Sequence, residues 1–172
     1  MIQKIIDGLN SREKKYIAKA ISIVENNDSQ SKKLLTKLNI NSTHSVRIGI
    51  TGPPGAGKST ITNQLIKKYR EKNKSVCALL VDPSSPFTNG AVLGDRIRMK
   101  NFYKDDNVFI RSIASRGSKG GLSENIEYIA NVLNYCKFDI IIFETVGIGQ
   151  IELDVIESVD TVVVVLVPES GD

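Results

Sequence analysis

The pattern of apolar and polar positions changes part-way along the chain. In the first part, apolar residues recur at spacings of three and four, the spacing of one face of a helix. This predicts a helix over residues 11–26 that Ser11 can cap. A shorter helix is predicted to follow, starting at Asp28 or Ser29 and running to Leu38.

The second part alternates short apolar runs with helix-length amphipathic stretches. The apolar runs predict strands over residues 46–51, 76–81, 108–110, 140–143 and 161–167. Helices are expected near residues 58–71, 91–103, 121–135 and 152–158. Runs such as IIIF and VVVVLV contain no polar residue, which is typical of strands buried on both faces.

Buried strands that alternate with helices indicate an α/β fold, with a mostly parallel sheet that has helices on both faces. We therefore expect an N-terminal helical extension over residues 1–44 and a sheet domain over residues 45–172. The chain contains no internal repeat and no low-complexity segment.

Composition narrows the possible functions. Of the 172 residues, 41% are hydrophobic and 24% are charged, and no apolar run approaches the length of a membrane helix. The net charge of +4 arises within residues 1–42, which hold eight basic and four acidic residues. Because only Tyr16 interleaves with these charges, we expect a solvated helix face and no nucleic-acid interface. Cys77 and Cys136 accompany apolar runs, which favours reduced core residues and a cytoplasmic protein.

The strongest motif is GPPGAGKS at residues 52–59, which follows the first predicted strand and precedes a helix. It matches the phosphate-binding pattern G-x-x-x-x-G-K-[ST] in its proper context. Glycines let the backbone N–H groups surround a phosphate, the lysine adds positive charge, and the serine hydroxyl can ligate Mg²⁺. The chain is therefore expected to be a P-loop NTPase. The predicted phosphate-binding residues are Gly52, Pro53, Pro54, Gly55, Ala56, Gly57, Lys58, Ser59 and Thr60.

Pro53 argues against one group of P-loop ATPases. Members that work as sandwich dimers, such as the MinD-like and ParA-like proteins, have a second lysine directly after the first glycine. This chain has a proline there.

Acidic residues follow the predicted strands at the expected ligand-binding end of the sheet. Asp82 ends the second strand, Glu144 ends the fourth, and Asp95 lies in a loop-to-helix segment. The carboxyl ends of parallel strands meet at one end of the sheet, and Mg²⁺ prefers oxygen ligands. We therefore predict a metal site formed by Ser59, Asp82, Asp95 and Glu144. A helix cap or a solvated turn is the alternative role for each acid.

The sequence ETVG at residues 144–147 is similar to the D-x-x-G of P-loop GTPases, with Glu144 in place of the aspartate. Gly147 would then contact the γ-phosphate through its N–H. Glutamate is one methylene longer than aspartate, so its reach to the metal differs. Gln150 could position a water molecule, although a structural role is equally compatible with its position.

Five stretches together resemble one protein family: GPPGAGKST, VDPSSPFTNGAVLGDRIRM, RSIASRGSKGGLS, FDIIIFETVGIGQIELDV and DTVVVVLVPESGD. The family is that of the MeaB/ArgK P-loop GTPases, also called LAO/AO transport system kinases. Its members are chaperones of adenosylcobalamin-dependent methylmalonyl-CoA mutase. The resemblance covers nearly the whole chain.

The resemblance implies binding of GTP and GDP with Mg²⁺, and hydrolysis that is slow alone and faster with the partner. It also implies a methylmalonyl-CoA mutase or related cobalamin-dependent mutase as partner, and a homodimer in the full-length protein. Lys58, Asp95 and Glu144 would be the catalytic residues, and residues 83–98 and 145–152 the switch segments. No general base is identifiable, and Arg96, Arg98 and Arg116 are candidates for an arginine finger.

Two alternatives remain: an ATP-dependent kinase of the LAO/AO transport type and a GTPase that delivers metal to another enzyme. The second would be expected to carry a His-rich or Cys-rich tract, whereas the chain has one histidine and two cysteines. The guanine-recognition motif N-K-x-D does not occur in the 172 residues. We therefore expect an N-terminal fragment of a longer protein, with weak nucleotide binding and little preference for GTP over ATP.

Overall fold

The computed structural model describes residues 1–26, 29–38, 45–82, 99–114, 122–145, 147 and 150–168. The helices are α1 (Ile2–Asn10), α2 (Lys14–Asn26), α3 (Ser29–Leu38), α4 (Lys58–Glu71), α5 (Leu122–Tyr135) and α6 (Gln150–Glu157). The strands are β1 (Val46–Thr51), β2 (Val76–Asp82), β3 (Val108–Ala114), β4 (Ile140–Thr145) and β5 (Thr161–Val164). A short 3₁₀ helix spans Lys100–Phe102.

The five strands form one parallel sheet in the order β3-β2-β4-β1-β5. β1 lies between β4 and β5, so the loop that leaves β1 emerges between the carboxyl ends of two neighbouring strands. The α/β fold with a parallel sheet, predicted from the alternating pattern, is confirmed.

Each face of the sheet has its own hydrophobic core, because successive side chains of a strand point to opposite faces. Ile142 of β4 belongs to the core that includes Ile66 of α4. Ile141 and Phe143 belong to the other core, which includes residues of α5, α6 and the three N-terminal helices. Helices therefore cover both faces, as predicted.

The start of the helix predicted over residues 11–26 is wrong. Ser11 ends α1, with its N–H donating to the carbonyl of Asp7 at 3.2 Å, and α2 begins only at Lys14. Arg12 separates the two helices because its φ of 53° is left-handed and cannot continue a right-handed helix. The second predicted helix is present as α3, which begins at Ser29.

Two arginines connect the N-terminal helices to the rest of the molecule. Arg12 Nε donates to the carbonyl of Cys136 at 2.7 Å. Arg111 of β3 donates to the carbonyl of Ala18 at 2.6 Å and to the carboxylate of Glu25 at 2.7 Å. These contacts join the link between α1 and α2 to the residue that follows α5, and α2 to β3. The boundary between the helical extension and the sheet domain stays a prediction.

Both cysteines are buried and free, as the apolar runs around them predicted. Burial raises the pKa of Cys77 well above its usual value and the pKa of Cys136 to about 12. Neither thiol therefore ionises near neutral pH. Within the described part of the chain, no helix is long and apolar enough to cross a membrane.

β5 differs from its prediction in position and length. It pairs only with β1 among the described strands and ends at Val164, whereas burial on both faces and an end at residue 167 were predicted. Val164 is 57% exposed and Leu166 68%. The apolar run identifies a strand, but strand order decides whether its faces are covered. Of the helix predicted near 91–103, residues 91–98 lie outside the described residues, as does Asp28.

Candidate nucleotide-binding site

The candidate site lies where the carboxyl ends of β1 and β4 meet the start of α4. β1 ends at Thr51, and residues 52–57 lead directly into Lys58, the first residue of α4. Ile50 of β1 is paired with Glu144 of β4 in the sheet. The strand register therefore places Glu144 beside the loop, although 85 residues separate it from Ser59 in the sequence.

The glycines of the loop have backbone conformations that other residues rarely adopt. Gly55 and Gly57 have φ values of 79° and 94°, with open space where a Cβ would stand. Dihedral strain alone therefore favours glycine at these two positions. At Gly52, with φ of 133°, a Cβ would also lie 2.0 Å from the carbonyl oxygen of Val165. Close packing against the segment that follows β5 adds a second restriction there.

Lys58 is buried within the loop, with 7% of its surface exposed. Its Nζ donates to the carbonyls of Gly52 at 2.7 Å and Pro53 at 2.9 Å. The ammonium is therefore directed into the concave side of the backbone loop. Two other residues of the motif, Pro54 and Thr60, are exposed.

Glu144 is 6% exposed, and hydroxyl groups hold both of its carboxylate oxygens. Ser59 Oγ lies 2.5 Å from Oε1, and Thr62 Oγ1 lies 2.5 Å from Oε2. Lengths of 2.5–2.7 Å are typical of a hydroxyl that donates to a carboxylate. The fold thus brings together Ser59 and Glu144, two of the predicted metal-site residues, and adds Thr62. Thr62 was missed, although its spacing of three from Ser59 places both on one helix face.

Gly147 lies against the phosphate-binding loop. Its φ is 87°, and a Cβ built there would stand 1.8 Å from the carbonyl oxygen of Gly52. Beside it, the buried hydroxyls of Thr145 and Thr51 are 3.1 Å apart and join the ends of β4 and β1. Gly147 and the loop are therefore packed together backbone to backbone.

The profile of the family described as methylmalonyl Co-A mutase-associated GTPase MeaB matches residues 17–172. The chain belongs to this family. The resemblance found in the sequence motifs is confirmed.

Similar curated proteins extend the comparison. A predicted GTPase of Pyrococcus horikoshii, PH0274, is 46% identical over 171 residues, which are 99% of this chain and 54% of that protein. GTPase ArgK of Escherichia coli is 33% identical, over 97% of this chain and 52% of that protein. The chain thus spans about half the length of these curated relatives.

Among solved structures, a LAO/AO transport system kinase superposes with a TM-score of 0.71 at 26% identity, covering 95% of this chain and 49% of that one. The hydrogenase maturation factor HypB of Archaeoglobus fulgidus superposes with a TM-score of 0.50 at 18% identity, covering 81% and 63% of the two chains. The second match shows a shared fold only.

Several residues that the sequence analysis singled out are not among those the structure describes. They are Asp95, Arg96, Arg98 and Arg116. The backbone of Asp82 ends β2 and that of Gln150 begins α6, but their side chains also lie outside the described part. Among described residues, no three acidic, histidine or cysteine side chains form a metal-binding group.

Proposed function

We propose that the chain binds a guanine nucleotide together with Mg²⁺ and hydrolyses GTP slowly, as a switch for an adenosylcobalamin-dependent mutase such as methylmalonyl-CoA mutase. The supporting observation is that the loop folds around a buried lysine while Ser59 and Glu144 meet beside it. Family membership supports guanine as the base. The proposed phosphate-binding residues are 52–60 and Gly147.

The loop is suited to an anion because the buried ammonium of Lys58 lies on its concave side, where it contacts the carbonyls of Gly52 and Pro53. Phosphate oxygens are negatively charged, and charge-assisted hydrogen bonds are roughly twice as strong as neutral ones. Binding of a triphosphate would therefore favour transfer of the ammonium from the carbonyls to the β- and γ-phosphates. The positive end of α4 faces the same space.

The described residues fit a nucleotide-bound Mg²⁺. Such an ion takes most of its oxygen ligands from phosphates and water and few from protein. Ser59 donates its hydrogen to Glu144 and so keeps oxygen lone pairs for the metal, while Glu144 can accept from a metal-bound water. When bound, Mg²⁺ would neutralise charge that develops on the phosphates.

The catalytic contribution of the protein would be positioning and charge neutralisation, without a covalent intermediate. We assign these roles to Lys58, Glu144 and Asp95, and additional metal contacts to Asp82. Among the described residues we identify no general base, and a site of this kind suits a slow switch better than a fast hydrolase.

The partner assignment rests on the family's description as mutase-associated. A mitochondrial methylmalonic aciduria type A homolog of Mus musculus is 32% identical over 99% of this chain and 45% of that protein. We further propose that the full-length protein is a cytoplasmic homodimer. Co-purification of the chain with a cobalamin-dependent mutase tests the partnership, and failure to bind the mutase in either nucleotide state would contradict it.

The first test is nucleotide binding measured by calorimetry with GTP, GDP and ATP in the presence of Mg²⁺. Lys58→Ala is expected to lower affinity by at least about a hundredfold, because a buried charge at the phosphates is lost. Lys68→Ala is the matched control, since Lys68 lies on the same helix with a largely exposed side chain paired to Glu71. Unchanged affinity and turnover in Lys58→Ala would refute the proposed site.

The 172 residues are expected to show little selectivity between the guanine and adenine bases. Because N-K-x-D does not occur in these residues, we expect GTP and ATP to differ in affinity by less than about tenfold, that is, by less than about 1.4 kcal/mol. Tight and selective guanine binding would show that the 172 residues contain a base-recognition element of another kind.

A further inference from the structure

We propose that Thr62 is a positioning residue that fixes the carboxylate of Glu144 and thereby sets the Mg²⁺ affinity of the site; the proposal rests on the proposed function. Thr62 lies on α4 one turn beyond Ser59 and outside the phosphate-binding motif. It is fully buried, with 0% of its surface exposed.

The hydroxyl of Thr62 makes its shorter hydrogen bond to Glu144, and its longer contact is to a carbonyl of its own helix. Oγ1 lies 2.5 Å from Glu144 Oε2 and 3.1 Å from the carbonyl of Lys58, the residue four positions earlier. A hydroxyl has one hydrogen and can donate it to one acceptor. The shorter contact has the length of a charge-assisted hydrogen bond, and the longer lies outside the usual range for O–H···O. Thr62 therefore donates to the carboxylate.

Two hydroxyl groups restrict the orientation of the Glu144 carboxylate more than one hydroxyl group does. Glutamate has one more rotatable bond than the aspartate usual after this strand, so its carboxylate can take more orientations. A single hydrogen bond to one oxygen leaves the plane of a carboxylate free to turn, whereas bonds to both oxygens restrain it. Because Ser59 and Thr62 are three residues apart on one rigid helix and hold different oxygens, they fix both the position and the plane of the group.

The orientation matters because Ser59 is also the proposed metal ligand. Its hydrogen must point to Glu144 for its lone pairs to face the ion. If Glu144 turned away, the hydrogen bond from Ser59 Oγ to Glu144 Oε1 would be lost. A water between Glu144 and a bound metal would likewise lose its contact with the carboxylate. Loss of Thr62 Oγ1 is therefore expected to weaken Mg²⁺ binding without removing any direct ligand.

The experiment measures the Mg²⁺ concentration at which binding of GDP to the 172-residue chain is half-maximal. Binding is detected by calorimetry at a fixed GDP concentration while the Mg²⁺ concentration is varied. Thr62→Val keeps the shape of the side chain and removes the hydroxyl. We expect it to raise the half-maximal Mg²⁺ concentration about tenfold, within the range for second-layer metal partners. Thr62→Ser restores the hydroxyl and should stay within about twofold of the unmodified chain.

Two further measurements exclude a merely structural role. GDP affinity with EDTA in place of Mg²⁺ should be equal, within about twofold, in all three proteins, because the phosphate loop is untouched. In a Glu144→Ala background, Thr62→Val should cause no further change in Mg²⁺ dependence, since the group it positions is gone. An additive effect in that background would overturn the proposal.

The outcomes distinguish this proposal from the function on which it rests. If the unmodified chain binds GDP without any dependence on Mg²⁺, the proposed function fails. If it depends on Mg²⁺ and Thr62→Val has the same half-maximal concentration, the positioning role fails. Should Thr62→Val not fold, Thr62→Ala replaces it, and an unchanged Mg²⁺ dependence there overturns the proposal equally.

Discussion

Replacement of Gly147 by alanine tests the close packing between the ETVG segment and the phosphate-binding loop. The added Cβ would stand 1.8 Å from the carbonyl oxygen of Gly52, whereas ordinary contact begins at 3.4 Å. The segment must therefore move by roughly 1.6 Å or the loop must deform. The backbone at Gly147 is also left-handed, with φ of 87°, which is unfavourable for alanine.

The two contributions can be separated with a matched glycine. Gly55 has a similar φ of 79°, but nothing lies within 4 Å of its added Cβ. Gly55→Ala should therefore lose only the dihedral preference, about 1 kcal/mol of unfolding free energy. Gly147→Ala carries the same strain and the collision, and we expect a total loss of about 2–4 kcal/mol, as for other overpacking changes.

The assay is urea unfolding of the nucleotide-free proteins, with the unfolding free energy obtained by linear extrapolation. A chain of this size should give a cooperative transition for both variants and the unmodified protein. If Gly147→Ala and Gly55→Ala lose the same free energy, the contact between Gly147 and Gly52 does not contribute to the folded state. Gly147 would then not be packed against the phosphate-binding loop in the folded protein.

Two further predictions concern polar contacts away from the site. The carboxylate of Asp139 is partly buried, which alone would raise its pKa, but hydrogen bonds from the Ser75 hydroxyl and N–H, with Lys74, lower the pKa to about 2. Its stabilising contribution is therefore complete above about pH 4 and lost as the pH falls through 2. Asp139→Asn should lower the unfolding free energy by about 1–2 kcal/mol at pH 7, measured by urea unfolding. The difference in unfolding free energy between this variant and the unmodified chain should shrink between pH 4 and 2. A difference that stays constant with pH would contradict the role given to the Asp139 carboxylate. Arg111→Met should lower the unfolding free energy by about 1–3 kcal/mol in the same assay, because Glu25 stays partly buried without its cation. Removal of the exposed ion pair between Lys68 and Glu71 should cost less than about 1 kcal/mol. Equal losses would show that α2 is not held by Arg111.

The sequence by itself determined the elements whose signal is local. The predicted bounds of β1 and α4 agree with the structure because the apolar run, the glycine-rich loop and the helical spacing follow one another without interruption. The phosphate-binding motif also specified the left-handed glycines, since the turn geometry depends on residues within six positions. Parallel pairing followed from buried runs that alternate with helices.

Only the tertiary structure decided which distant groups meet. The contacts of Glu144 with Ser59 and Thr62 join residues more than 80 positions apart, and they depend on β4 lying next to β1. The exposure of β5 likewise follows from strand order, because an apolar run has the same composition at an edge as at the centre of a sheet. Sequence periodicity reports the neighbours of a residue along its own element, whereas strand order and register determine its neighbours across the fold.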